Sequence, residues 1–303
     1  MDQKKGVILV LLTTLISAVS IFINSYAVKG FDSSVFTFSK NIIVAIFLFS
    51  IIFVLGKFSE IKGLTKKQVG KLTLIGLIGG SIPFLLFFKG LQMDSGTTSV
   101  FIQKSMIIFV FIFAFIFLKE KISKMIILGV SLLFIGTYLI AKPSIFFSYG
   151  NVLVLIAVLF WAIEQIISKH ALKELSANIV AFGRMFFGSF FILIFLFFTN
   201  KASLIFSMSK SEYLWIILTS IFLLGYVLTY YNGLKEINVT TAVSILTLGM
   251  PITILLNYVF NGKIVSFFEF LGSTLIIVGI ITIFYFSKNS NLKTSKELDK
   301  KYS

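Results

Sequence analysis

The chain has 303 residues, of which 57% are hydrophobic and only 13% charged, with no cysteine and one histidine, His170. Soluble domains average roughly 45–50% apolar and 25% charged residues, so this is a membrane protein by composition, and disulfides, thiolate chemistry and Cys- or multi-His metal sites are excluded. The net charge of +15 is assigned to basic cytoplasmic loops rather than to nucleic-acid binding.

A spanning helix needs about 20 mainly apolar residues. Ten segments qualify, at 7–28, 34–56, 70–90, 97–118, 124–141, 151–170, 177–199, 213–232, 240–260 and 264–286. The expected fold is therefore all-α integral membrane. The first segment follows Lys4 and Lys5, but it exceeds a signal-peptide h-region and no A-x-A-like site follows, so it is expected to remain as a span. The second carries Lys40. The third carries Gly76 and Gly80, a small-xxx-small pair suited to close helix contact, and Pro83. The fourth carries Gln103 and Lys104. The fifth holds Gly129 and Gly136, two turns apart on one face. The sixth holds Trp161, Glu164 and Gln165, and the seventh Arg184. The eighth ends on Tyr230, Tyr231 and Asn232; the ninth contains Pro251 and Asn257; the tenth repeats the glycine pair as Gly272 and Gly279. Pro83 and Pro251 are candidate kinks. The lysine-rich tail 288–303 is expected to be polar and disordered.

The chain repeats itself. A shift of 143 brings Gly90 onto Gly233, Thr97 and Thr98 onto Thr240 and Thr241, Ser123 onto Ser266, Gly129 onto Gly272 and Gly136 onto Gly279, without a gap. A shift of 144 brings Gly6 onto Gly150, Leu9 onto Leu153 and Phe38 onto Phe182. A fixed-offset match of this length marks an internal repeat. The expected division is one five-helix repeat over 1–145, a second over 146–287, and a cytoplasmic tail over 288–303. Placing the N-terminus in the cytoplasm puts eighteen basic residues inside and six outside, as the positive-inside rule requires. Both termini are then cytoplasmic. Five spans is an odd number, so the halves would enter the bilayer from opposite sides. That is an inverted repeat, and in secondary transporters built this way the site lies near the midplane between the repeats.

Four charged residues fall inside spans: Lys40, Lys104, Glu164 and Arg184. Each costs at least ~2.5–3.5 kcal/mol near the bilayer centre on insertion scales. Lys40 and Arg184 are repeat counterparts, whereas Lys104 and Glu164 correspond to Thr247 and Ser20. Such residues either bind cargo or pair with one another, Glu164 with Arg184 or with Lys104. Glu164 has three candidate roles: holding a substrate ammonium, taking a coupling proton, or neutralising a buried cation. Asn24, Tyr230, Tyr231, Asn232 and Asn257 are candidate neutral hydrogen-bonding groups. No Walker A run, G-x-S-x-G, H-E-x-x-H or paired acidic Mg²⁺ motif is present, so neither ATP drive nor an enzyme is expected, and no cofactor or metal.

The end of the fourth segment and the fifth read FLKEKISKMIILGVSLLFIGTYLI. With ten spans in two five-helix halves, this resembles the EamA family of the drug/metabolite transporter superfamily, through Phe117, Leu118, Glu120, Ile122, Ser123, Gly129 and Gly136. In the second copy Gly262 and Lys263 replace Lys119 and Glu120, and Ile108 stands where the family often carries a proline. The resemblance implies that segments 1–4 and 6–9 line a cavity and that 5 and 10 are peripheral.

The sequence thus predicts a multi-pass secondary transporter of the cytoplasmic membrane. It would move a small polar metabolite by alternating access, as an exporter of amino acids or related metabolites, with H⁺ a candidate coupling ion. Candidate binding or coupling residues are Lys40, Gln103, Lys104, Trp161, Glu164, Gln165, Arg184 and Tyr230. Three cations against one carboxylate favour an anionic or zwitterionic substrate, with Arg184 and Lys104 on its carboxylate. The alternatives are an organic-cation uptake carrier with Glu164 as counter-ion and Trp161 as a cation–π face, and a non-transporting membrane subunit whose buried charges only pair. Expected partners are the substrate and the lipid bilayer, with no nucleic acid; the sequence leaves oligomeric state open.

Overall fold

The computed structural model describes residues 2–27, 32–93, 97–144 and 148–302, and side chains at 2–23, 32–93, 97–144 and 148–287. The side chain of Asn24 lies outside the described residues. Ten of the described helices are long and apolar enough to cross a membrane. They are α1 (Gln3–Ala27), α2 (Ser33–Val54), α3 (Lys66–Met93), α4 (Thr97–Leu118), α5 (Lys124–Ala141), α6 (Tyr149–Ala171), α7 (Ala177–Phe198), α8 (Lys210–Glu236), α9 (Val239–Asn261) and α10 (Phe267–Tyr302). Their outer faces carry Phe, Ile and Leu: Phe198 is 85% exposed and Ile281 61%. Apolar surface on this scale is stable only against lipid.

Local chemistry sets the helix ends. Asp32 accepts from the amides of Ser34 and Val35 at the start of α2. Thr65 with Gln68, and Ser209 with Glu212, form reciprocal capping boxes at the starts of α3 and α8. At the far ends of α4 and α9 the two halves use one device. Lys119 and Gly262, 143 positions apart, both adopt left-handed backbone at φ 55° and 63°. The next amide in each, Glu120 or Lys263, donates back to the carbonyl of Ala114 or Asn257 at 3.2 Å. The tenth helix runs on to Tyr302, past the point where the tail is expected to lose structure. Lys, Glu and Leu are good helix formers, and extending an existing helix adds a hydrogen bond for each residue fixed.

Helix contacts follow the repeat. α1 packs on α8 and its counterpart pair, α6 and α3, pack together; α2 packs on α7, α4 on α9 and α5 on α10. The α5–α10 seam runs through glycines: a Cβ on Gly136 would lie 2.6 Å from the Gly272 oxygen, and one on Gly129 2.9 Å from the Gly279 oxygen. In α3, a Cβ on Gly76 would lie 2.8 Å from the Gly188 nitrogen and one on Gly80 2.9 Å from the Gly188 Cα, so these two glycines admit α7.

Three helices are irregular at mid-length. α3 contains a π-helical turn over Gly76–Ser81, just before Pro83. α4 is interrupted at Ser105, and α9 at Thr247 and Leu248; Ser105 and Leu248 are repeat counterparts. In α9 the cause is Pro251, which cannot donate to the Thr247 carbonyl, so Met250 N–H bonds it instead at 3.1 Å. α4 breaks without a proline: the Ser105 hydroxyl donates to the Phe101 carbonyl at 2.8 Å and Ile108 N–H to the Ser105 carbonyl at 3.0 Å. Hydroxyl back-bonding of this kind bends helices.

Candidate functional site

A cavity of about 280 Å³ lies among the irregular helices, at the small end of the roughly 300–1,000 Å³ typical of ligand pockets. Ser17, Ser20 and Ile21 of α1, Lys40 of α2, Phe84 of α3, Gln103, Lys104 and Met106 of α4, Trp161 and Gln165 of α6, Arg184 of α7, Phe222, Leu223 and Tyr226 of α8, and Val243, Leu246 and Thr247 of α9 form its wall. The lining comes from α1–α4 and α6–α9, with none from α5 or α10 among the described residues. Six of the eight candidates from the sequence meet here: Lys40, Gln103, Lys104, Trp161, Gln165 and Arg184. Glu164 and Tyr230 do not line it. Glu164 is fully buried and Tyr230 is 2% exposed.

Glu164 sits behind the wall with every oxygen engaged. Its Oε1 accepts from Ser168 Oγ at 2.5 Å and Tyr231 OH at 2.8 Å and faces Arg184 Nε at 3.8 Å. Its Oε2 accepts from Gln165 Nε2 at 2.9 Å. Tyr230 OH donates to Gln165 Oε1, which fixes the Gln165 amide. Of the two ion pairs open to Glu164 in the sequence, the structure forms the one with Arg184. A buried pair needs such extra hydrogen bonds to offset its desolvation.

The π-helical turn supplies the other half of the arrangement. Pro83, four residues on, has no N–H to give the Gly79 carbonyl, which accepts instead from Arg184 Nη2 at 3.0 Å and Trp161 Nε1 at 3.2 Å, while the Gly80 carbonyl accepts from Asn41 Nδ2 at 3.1 Å. Gly79 is also forced by space, because a Cβ there would stand 2.3 Å from Glu164 Cγ. Phe84 and Phe87 hold the Trp161 ring at centroid distances of 5.2 and 5.4 Å. Asn41, Gly79 and Ser168 were not among the sequence candidates, whereas Tyr231 was singled out as a neutral hydrogen-bonding group and here donates to Glu164; a polar side chain in an apolar span was the available signal for Asn41 and Ser168.

Among the described residues, Lys40 and Lys104 have no acidic neighbour. Neither makes an ion pair or hydrogen bond among the described residues; Lys40 Nζ lies 4.5 Å from the Phe36 ring centroid. The two are half-buried, and both face the cavity.

The bundle is tied shut at the end that carries the termini. Asp2 N–H donates to Glu236 at 2.7 Å and Asn238 Nδ2 to Ser287 at 3.2 Å, which places the start of α1 and the end of the tenth span there. Glu120 accepts from the first amides of α9, Val239 at 2.8 Å and Thr240 at 3.4 Å. Lys169 donates to the last carbonyls of α8, Leu234 at 2.6 Å and Ile237 at 2.7 Å. Both satisfy groups that helix ends leave open. Burial pushes the Glu120 carboxyl up, although Thr240, the Val239 amide and Lys169 pull the other way. Lys71 pairs with Glu174 at 2.8 Å. At the opposite end Lys201 pairs with Asp32 at 2.6 Å; burial raises that carboxyl, and Lys201 with the Val35 and Ser34 amides brings it below the ordinary carboxylate value.

Comparison with known proteins agrees with this architecture. The family model described as the EamA-like transporter family matches twice, over residues 4–142 and 148–285. An uncharacterized transporter of Clostridium kluyveri is 26% identical over 307 aligned residues, covering 95% of this chain and 96% of that one. A second, from Archaeoglobus fulgidus, is 30% identical over 60% of this chain and 65% of its own length. The uncharacterized transporter YyaM of Bacillus subtilis is 24% identical over 73% of this chain and 76% of its own. One solved crystal structure superposes with a TM-score of 0.76 at 14% identity, covering 94% of this chain and 98% of that one; it bears on the fold alone.

Proposed function

Because the chain belongs to the EamA-like transporter family, within the drug/metabolite transporter superfamily, and is a multi-pass membrane transporter, we propose that it exports a small carboxylate-bearing metabolite across the cytoplasmic membrane by alternating access. The observation that carries this reading is a cavity inside an apolar ten-helix bundle that gathers Lys40, Lys104 and Arg184 from three helices. Charges placed so expensively in a membrane protein face cargo or each other, and Lys40 and Lys104 line the cavity with no ion pair among the described residues.

The halves are read as inverted, since each contributes five spans. Repeat-related positions converge on the cavity: Lys40 with Arg184, Lys104 with Thr247, and Ser20. Helices interrupted at equivalent points, Ser105 and Leu248, supply natural pivots. The ties around Glu120 and Lys169 describe a conformation closed at the termini end, and alternating access requires them to break.

Recognition of the substrate carboxylate is assigned to Arg184 and Lys104. The organic-cation alternative is disfavoured, because the carboxylate it needs is behind the wall and already bound by Arg184, Ser168, Tyr231 and Gln165. The reading is tested by a thermal-shift screen of the purified protein against amino acids, organic acids, sugars and amines, since a ligand that favours the folded state raises apparent stability. Proteoliposomes then measure flux of the hits. Arg184→Ala and Lys104→Ala proteins that transport at wild-type rates would refute the assignment.

A further inference from the structure

The cavity wall is charged on one side of the ledger only. No Asp or Glu lines it among the described residues. Arg184 is matched by Glu164, whose oxygens are all taken. Lys40 and Lys104 remain, on α2 and α4, with no anion among the described residues to answer them. Two like charges in a cleft with low-dielectric walls focus a positive potential and select the charge of what enters. A solute with one carboxylate answers one ammonium and leaves the other. A zwitterion brings its own ammonium into that field and finds no carboxylate in the wall. A solute with two negative charges answers both.

We propose that the cavity selects a compact dianion without an ammonium group, a small dicarboxylate or a phosphate-type anion, with Lys40 and Lys104 as the two charge-determining contacts. This rests on the transporter reading above and narrows it from a carboxylate-bearing metabolite to one class. The shared chemistry is two negative charges within a few ångströms of each other. Arg184 has its charge matched by Glu164 and its Nη2 engaged by the Gly79 carbonyl, so beside Lys104 it offers the carboxylate a hydrogen-bond donor rather than a third unmatched charge. The low volume of the cavity and its apolar patches of Ile21, Phe84 and Leu223 suit a short carbon skeleton between the charges.

The wall carries its own reporter. Trp161 lines the cavity and Trp215, the only other tryptophan, does not. A W215F protein in detergent at pH 7.5 therefore reports on the site through Trp161 fluorescence, with the apparent melting temperature as a second readout. The probes are succinate, inorganic phosphate, acetate, alanine and choline. Succinate or phosphate is expected to half-saturate at a concentration at least tenfold below acetate or alanine, and whichever of the two is tighter identifies the anion type. Lys40→Gln and Lys104→Gln should each collapse that preference to within about threefold, while Lys40→Arg and Lys104→Arg, which keep the charge, should retain it. Equal half-saturation by succinate and acetate, or tighter binding of alanine, overturns the dianion assignment and leaves the carboxylate reading standing. Choline as the tightest ligand, or no response to any anion, overturns both.

Discussion

Arg184 Nε stands 3.8 Å from Glu164 Oε1, in a pair whose side chains are 10% and 0% exposed. The two come from α7 and α6 and meet at the π-helical turn of α3. Arg184 Nε has no hydrogen-bond partner among the described residues, so the pair is held by charge and by the surrounding donors rather than by a direct bond. Removing one member strands the other.

Glu164→Gln should therefore lower stability by about 3 kcal/mol or more, the lower range for breaking a buried pair. Arg184→Gln should cost a similar amount. The double variant should lose less than the sum of the two, because it leaves no unmatched charge. Apparent melting temperatures of the four proteins in detergent form the cycle, and strict additivity would show that the pair is not coupled.

Gly79→Ala is expected to displace Glu164 and Arg184 together, since its Cβ would sit 2.3 Å from Glu164 Cγ and 3.3 Å from Arg184 Nε. The protein should melt lower and lose ligand-induced stabilisation. Gly70, in the same helix, has nothing within 4 Å of an added Cβ. Gly70→Ala should be neutral or stabilising by up to about 1 kcal/mol through helix propensity. Wild-type ligand response in Gly79→Ala would contradict this account of the turn.

Lys119 and Gly262 offer a test within the repeat. Both are left-handed, a conformation that costs a residue with a Cβ roughly 1–2 kcal/mol. Lys119→Gly should stabilise by about 0.5–1 kcal/mol after the added chain entropy of glycine is counted. Gly262→Ala, with open space around it, should destabilise by about 1 kcal/mol from backbone strain alone. Opposite shifts in melting temperature are the expected readout.

Glu120 should make stability depend on pH. Burial raises its folded-state pKa above the ordinary value of 4.5. The folded protein then holds the proton more tightly than the unfolded chain, so this contribution is present below pH 4.5 and declines as pH rises through the folded value. Glu120→Gln keeps an acceptor for the Val239 amide and removes the titration. Its melting temperature should fall less than that of the wild type between pH 4.5 and 7, and parallel curves would show that Glu120 does not titrate in that window.

Composition and periodicity alone determined the ten spans, because a bilayer demands apolar runs of a set length whatever the tertiary packing. The internal offsets of 143 and 144 likewise marked the repeated Gly129, Gly136, Gly272 and Gly279, and a charge in a span flagged Lys40, Lys104, Glu164 and Arg184 as needing a partner or a cavity. Which of those two each charge found was decided only in three dimensions. Glu164 and Lys104 look alike as lone charges in apolar runs, yet one is enclosed by Ser168, Tyr231, Gln165 and Arg184 while the other opens on the cavity. The partners of the Gly79 carbonyl belong to the same class. Pro83 announces that this carbonyl is free, but that Arg184 and Trp161 take it depends on how closely α3 approaches α6 and α7, and a pattern along one chain carries no record of that.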